Sequence, residues 1–423
     1  MQVADVFDRA TGGGTGIEFR AYDGSRSGPR DAPVRVELRS PKALRYIVQA
    51  RNDLGLARAY VTGTVEVHGD LHDALLRLWN AGDDGNIPYR ERWRMLRALG
   101  LRTLRPIDPP PEETRPRGRM HSKGRDAQAV SHHYDVSNRF YRWILGPSMA
   151  YTCAVYPDAD ATLEEAQFEK FDLVCRKLDL RPGMRLLDVG CGWGGMVLHA
   201  VRHYGVEALG VTLASRQVEW AQAAIAEAGL ADRAEVRLLD YRDVPESGFD
   251  AISSIGLTEH IGRGKMPDYF AFLYNKLRPE GRLLNHCITR ANDTDPNLPK
   301  NGFIDRYVFP DGELSGPGRI MSTMTEAGFE LRHEENLREH YSRTLAAWYR
   351  NLEEHWDEAV ADVGEQRARV WRLYLAGSRV SFDINSIQLH QALGTKTEDG
   401  RAGMPLRPDW ETAARDRAAA GAL

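Results

Sequence analysis

The residues from Asp188 to Gly195 are spaced for cofactor chemistry. The apolar run MRLLDVG (184–190) reads as a strand and passes straight into CGWGG (191–195), giving D-x-G-x-G-x-G. Glycines permit a tight turn and let the backbone approach a ligand closely. The carboxylate of Asp188 stands before the first glycine, unlike the G-x-G-x-x-G of dinucleotide binders. Placed there, it can serve the amino end of a methionyl group, which favours S-adenosylmethionine over NAD. The plain alternative is a tight strand-to-helix turn that holds nothing. The next apolar strand ends at Thr212-Leu213, with Ser215, Arg216 and Gln217 following, and the third ends at Asp240-Tyr241. Ligands of open α/β sheets sit outside the carboxyl ends of the strands. Hydroxyl and amide groups at Thr212 and Gln217 therefore replace the usual acidic ribose ligand, and Asp240 and Tyr241 stand where adenine should lie.

Longer stretches resemble the cyclopropane fatty acid synthase family, which includes the mycolic acid cyclopropane synthases. They are HHYDVSNRFYRWILGPSMAYTCAVYP (132–157), LDVGCGWGG (187–195), GVTLASRQ (210–217), FDAISSIGLTEHIG (249–262), LRPEGRLLNHCI (277–288), IDRYVFPDGEL (304–314) and YSRTLAAWY (341–349). Together they span most of residues 120–390, in order. The resemblance implies delivery of a methyl cation equivalent to a carbon–carbon double bond, followed by proton loss from the resulting carbocation to a bound bicarbonate. It carries the bicarbonate ligands onto Cys153, Glu259, His286, the backbone at Ile288, and Tyr341. Cofactor contacts fall on Tyr151, Thr152, Asp188, Gly190, Cys191, Gly192, Thr212, Leu213, Gln217, Asp240 and Tyr241. A small base can reach a proton deep in an apolar pocket, provided that donors and an acceptor hold it in place. Each residue also has a bland reading. Cys153 could be a small buried hydrophobe, Glu259-His260 a helix start, His286 a core histidine and Tyr341 packing. Tyr134, Phe140, Tyr141, Trp143 and Tyr151 could stabilise a cation by their ring faces or simply fill the core.

Two positions depart from the family. Thr258 replaces an aromatic residue before the Glu-His pair, and Asn285-His286-Cys287-Ile288 stands where members read closer to L-H-T-I. These changes are expected to touch the place where the cation's fate is decided. The motifs SSIGLTEHIG and LLNHCITR resemble the members that methylate oleoyl chains to a 10-methylene product, which a partner reductase then saturates to 10-methylstearate. That product is preferred here, with a cyclopropane ring as the alternative.

The elements needed to position these residues are legible in outline. Helices over Leu163–Lys177, Gly195–His203, Arg216–Ala228 and Asp268–Leu277 alternate with the strands MRLLDVG, EALGVTL, AEVRLLD, DAISSIG and GRLLNHCIT. That alternation predicts a doubly wound parallel sheet of the class I methyltransferase (Rossmann-like) type. Aromatic-rich helices and loops after about residue 300 read as a cap. Residues 1–107 read as a smaller α+β domain, with β-like runs at Val34–Leu38 and Tyr60–Val67 and a helix at Leu71–Trp79. A Pro-rich linker at 108–120 should stay extended, and 121–423 form the catalytic domain. The segment Tyr89–Arg105 interleaves six arginines with Trp93, Met95, Leu96, Leu99, Leu101 and Leu104. It is expected to touch an anionic membrane surface.

The 423 residues carry a net charge of -4, which gives no global pull toward nucleic acid or anionic lipid. The four cysteines match no metal or redox spacing. No signal-like or membrane-spanning run is seen, so a cytoplasmic enzyme, peripheral at the inner face of the membrane, is expected. The N-terminal part resembles the longer, phospholipid-acting members through LGLARAYVTGTVEVHGDLHDAL, so the implied partners are unsaturated phospholipid acyl chains; a homodimer is left open. Two competing readings are a methyltransferase for a small soluble molecule and a lipid-binding module that has lost activity.

Overall fold

The computed structural model describes the whole chain except residues 51, 82–96, 98, 115–124, 126–135, 295–300 and 412–423. Most of the arginine-rich segment 89–105, and Tyr134, lie outside the described residues. The chain divides into two compact units. One comprises Met1–Arg115, Leu298–Pro310 and Leu352–Ser381; the other comprises Pro116–Asn297, Asp311–Asn351 and Phe382–Leu423. This differs from a linear division at 108–120, because two later stretches join the N-terminal unit.

The larger unit is built on a seven-stranded sheet. Its strands are β5 (Arg185–Val189), β6 (Glu207–Thr212), β7 (Ala234–Leu238), β8 (Phe249–Ile255), β9 (Leu277–Arg290), β10 (Glu330–Asn336) and β11 (Ile387–Thr395), in the order β10-β11-β9-β8-β5-β6-β7. The first five pair in parallel, as expected. β10 and β11 are antiparallel additions that the sequence reading placed among helices and loops. β10 is ELRHEEN, an edge strand whose polar surface needs no apolar alternation, so the pattern was silent there. Fully buried Leu186, Leu187, Val189, Val206, Ile252, Leu283 and Leu284 form the middle of the core.

Helix Leu163–Leu178 shows how local rules set the frame. Thr162 accepts from the Glu165 amide, and Glu165 accepts from the Thr162 amide, so the two satisfy each other as a capping box. Asp179, in a left-handed conformation, ends the helix. The turn between β5 and helix Gly195–Tyr204 needs positive φ at Gly190, Gly192 and Gly194, a region costly for residues with a Cβ.

The smaller unit carries a four-stranded sheet of β1 (Glu18–Ala21), β2 (Arg26–Ser27), β3 (Arg35–Leu38) and β4 (Val65–His68), in the order β2-β1-β3-β4. The β-like run Tyr60–Val67 is corrected. Tyr60 and Val61 end helix Leu54–Val61, Gly63 turns the chain with φ +68°, and only then does β4 begin. The described part of the linker is not free. Glu113 makes a two-pronged pair with Arg58 at 2.7 and 2.8 Å, and the Thr114 amide donates to Arg306 O at 2.8 Å. Arg369 is buried and satisfied by the carbonyls of Tyr60 and Val65 and by Glu66. A cavity of about 650 Å³, walled by Phe7, Phe19, Leu44, Leu56, Leu75 and Leu373, lies within this unit.

Candidate active site

The carboxyl ends of β5, β6 and β8 open onto one cleft bordered by Thr152, Lys170, Asp188, Gly190, Gly192 and Gln217. Asp188 is buried and accepts from Ser253 Oγ at 2.6 Å. Burial holds its carboxyl up at about 6, with the Ser253 hydrogen bond opposing. A Cβ built on Gly192 would meet nothing within 4 Å among the described residues beyond its chain neighbours, so these leave open space at the turn. Cys191 is buried beside it, and Tyr151 stands half-buried on the same cleft. Thr212 Oγ1 donates to Gln217 Oε1 at 2.8 Å, which joins two of the expected ribose contacts at the end of β6. Leu213, which follows, is half-buried.

Asp240 does not present a free carboxylate. It accepts from the Arg242 amide at 3.0 Å and from Arg242 Nε at 2.7 Å, capping a short turn. An Asp two residues before an amide commonly folds back on it in this way. Tyr241 stacks edge-on against Tyr269 and Phe272, at 5.1 and 5.5 Å between ring centres.

Of the expected catalytic set, His286 and Ile288 lie on β9 and Glu259 contacts it. Glu259, on the short helix Thr258–Ile261, is buried, and its Oε1 accepts from the Ile288 amide at 2.6 Å. Oε2 has no partner among the described residues. Burial raises this carboxyl to about 7, against the hydrogen bond from Ile288. The Ile288 amide, expected to hold the bicarbonate, donates here to the Glu259 carboxylate. His286 is fully buried, and burial, with the nearby Lys170 and Lys177, holds its ring well below the ordinary range. Gln391 Nε2 lies 3.2 Å from His286 Nδ1, while Gln391 Oε1 accepts from Lys177 Nζ at 2.7 Å. Ammonium groups only donate, so Lys177 fixes the amide's orientation. His286 Nδ1 is then the acceptor, and Nε2 carries the proton with no partner among the described residues.

Cys153 is fully buried, with Sγ directed at the carbonyls of Ala154 and Leu337, 3.2 and 3.8 Å away. Burial pushes its thiol far up, which favours the neutral form. Tyr341 is buried in a run of rings. It lies 4.6 Å from Phe382 and 6.1 Å from Trp348; Trp348 lies 5.4 Å from Tyr151, and Tyr151 5.9 Å from Tyr141. Phe140 is fully buried, and Trp143 instead takes a cation contact from Arg139 at 5.0 Å.

The two departures from the family motif meet each other. Thr258 Oγ1 donates to Asn285 Oδ1 at 2.6 Å, and Asn285 Nδ2 lies 3.3 Å from Cys287 Sγ. Successive strand residues face opposite sides of a sheet. Asn285 and Cys287 thus share the face of β9 opposite His286.

Sequence reasoning missed Lys170, Gln391 and Trp348. The signal for Lys170 was present: Leu163, Gln167, Lys170 and Val174 keep a buried helical spacing, so a lysine falls in a core register. Gln391 needed β11, which was not foreseen.

The mycolic acid cyclopropane synthetase family matches residues 121–392. A probable fatty acid methyltransferase of Mycobacterium tuberculosis is 51% identical, covering 97% of this chain and 99% of its own. The cyclopropane-fatty-acyl-phospholipid synthase of Escherichia coli is 32% identical over 86% of this chain and 88% of its own. Among solved structures, a mycolic acid cyclopropane synthase complexed with SAH and CTAB is 33% identical with a TM-score of 0.61, covering 64% of this chain and 98% of its own. On the extent of these matches, the chain belongs to the mycolic acid cyclopropane synthetase family.

Proposed function

We propose that this enzyme transfers a one-carbon unit from S-adenosylmethionine to the cis double bond of an oleoyl-like phospholipid acyl chain, giving a 10-methylene product. The coarser part, a lipid methyltransferase of the cyclopropane synthase kind, follows from the family. S-adenosylmethionine, when bound, supplies the electrophilic methyl group. The cleft suits its methionyl end, with space over Gly192 left open by the described residues and a buried carboxylate at Asp188.

One observation carries the deprotonation chemistry. Glu259 Oε2 and His286 Nε2 are both buried and both lack a partner among the described residues. Unsatisfied buried polar atoms are uncommon and call for a ligand. A small ion with both an acceptor oxygen and a hydroxyl matches an imidazole N–H and a carboxylate together. Bicarbonate is that ion, and when bound it supplies the base. His286 donates to it, Glu259 orients it, and the Ile288 amide holds Glu259. The ring run from Tyr141 to Phe382 keeps water away and offers π faces to positive charge.

The methylene product is favoured by the motifs SSIGLTEHIG and LLNHCITR; a ring is the second reading. We place lipid contact in the N-terminal unit, supported by its apolar cavity and by the basic segment 89–105. Peripheral attachment to the membrane and a downstream reductase complete the proposal, and among the described residues no helix is long and apolar enough to cross a membrane. Lipids from cells expressing the protein test it directly. A methylene-branched chain takes up hydrogen on mild catalytic hydrogenation and a ring does not, so mass spectrometry before and after separates the two. Unmodified oleoyl lipids throughout would overturn the activity itself.

A further inference from the structure

Lys170 is fully buried in the larger unit, on the inner face of helix Leu163–Leu178. Its Nζ donates to Thr152 Oγ1 at 2.9 Å and lies 3.7 Å from the centre of the Phe171 ring. No carboxylate pairs with it among the described residues. By contrast, nearby Lys177 is held by Glu335 and Gln391. An ammonium taken out of water with only a hydroxyl and a ring in direct contact is poorly compensated. Burial accordingly brings Lys170 down to about 7, with Cys153 and Asp188 the groups that oppose the change.

Lys170 also borders the cofactor cleft, and so does Asp188. The methionyl end of S-adenosylmethionine is a zwitterion, one ammonium and one carboxylate on the same carbon. A cleft that offers one buried carboxylate and one buried ammonium is complementary to that pair. We propose that Lys170 is the counter-charge for the cofactor's carboxylate, acting together with the Thr152 hydroxyl it already holds, while Asp188 faces the ammonium. The inference rests on the reading that the cofactor occupies this cleft. It gives the helix Leu163–Leu178 a role in ligand recognition besides packing.

The test compares two ligands that differ only in that carboxylate: S-adenosylhomocysteine and its decarboxylated analogue. Each is titrated calorimetrically into the full-length protein. Wild type should favour S-adenosylhomocysteine by roughly 10–100-fold, as for a hydrogen bond to a charged group. Lys170→Met should lose that preference, binding S-adenosylhomocysteine more weakly and the analogue as wild type does; Lys170→Arg should keep part of it. Equal weakening toward both ligands in a folded Lys170→Met variant would mean a packing role and overturn the assignment. If Lys170→Met does not fold, wild type still decides, since equal affinity for the two ligands would overturn it without any variant. Wild type that binds neither ligand would overturn the cofactor reading first, and this one with it.

Discussion

Gln391 donates to Nδ1 of His286 across 3.2 Å, and Lys177 determines which end of the amide does so. The two residues face each other in register on β11 and β9, so the last strand of the sheet sets the tautomer of the imidazole. Gln391→Glu should reverse it. A carboxylate can only accept, so Nδ1 must carry the proton and Nε2 loses its fixed donor role. We expect turnover to fall by roughly 10²-fold, with S-adenosylhomocysteine affinity unchanged. Nitrogen NMR of labelled histidine should show Nδ1 protonated in the variant and Nε2 alone in wild type. An unchanged ring pattern would mean that Gln391 does not set the tautomer.

Removing either orphaned group should separate chemistry from binding. Glu259→Ala and His286→Ala are expected to lose roughly 10²–10⁴-fold in turnover, the range of a positioned base. Cofactor affinity should stay, because neither side chain borders the glycine turn. Raised bicarbonate should recover part of the activity of the milder variants. Near wild-type turnover in either alanine variant would exclude the proposed ion site.

Glu259 also leaves a mark on stability. Its carboxyl is held at about 7 in the folded chain against an ordinary value of 4.5. Between those values the folded state keeps a proton that the unfolded state has released. The contribution of this group to stability is therefore fullest below pH 4.5, falls as pH rises, and is gone above pH 7. A shift of this size corresponds to about 3 kcal/mol. Glu259→Gln keeps an acceptor for the Ile288 amide and removes the titration. The variant should match wild type near pH 4.5 and unfold at a higher temperature at pH 8, while being inactive. Parallel melting-temperature curves across that range would refute the assigned burial.

The extent to which all this was legible follows from physical patterning. β5 to β9 are buried on both faces, so their apolar runs stood out, and the glycine turn declared itself by composition. Glu259 and His286 came from motif resemblance, since a glutamate and a histidine in apolar surroundings have ordinary readings too. β10 and β11 were hidden because an edge strand can be wholly polar and because Gln391 and His390 interrupt the run beside it. The pairing of Thr258 with Asn285 could not be read, being a contact 27 residues apart in sequence. The engagement of the Ile288 amide by Glu259 was likewise a matter of three-dimensional placement.

Gly192 separates strain from occlusion. Its φ is +54°, and beyond its chain neighbours no atom of the described residues lies within 4 Å of where a Cβ would stand. Gly192→Ala should lose about 1–2 kcal/mol of stability, the strain of a left-handed residue, and still bind S-adenosylhomocysteine. Gly192→Val adds branches that project into the cleft. It should remain folded and lose at least about tenfold in affinity, a difference of about 1.4 kcal/mol. Equal affinity of the alanine and valine variants, measured by calorimetry, would place the cofactor elsewhere.

Thr258 and Asn285 form a closed pair, and a double-mutant cycle should expose it. Thr258→Val leaves Asn285 Oδ1 without its donor inside the core, and Asn285→Leu leaves the Thr258 hydroxyl without its acceptor. Each should destabilise by roughly 1–3 kcal/mol, the penalty for an unmet buried polar group. The double variant removes both needs at once and should lose less than the sum, because residues in contact do not add. Additive losses in denaturant unfolding would show that the 2.6 Å contact contributes nothing. The pair lies on the face of β9 turned away from His286, so it bears on the reaction only through the placement of Glu259 next to Thr258. Glu259 is also held independently by the Ile288 amide. The folded double variant should therefore form the same lipid product as wild type, at a reduced rate. A switch between methylene and ring products in that variant would mean that the bond to Ile288 alone does not fix the Glu259 carboxylate, and that the residue before the Glu-His pair governs which proton leaves.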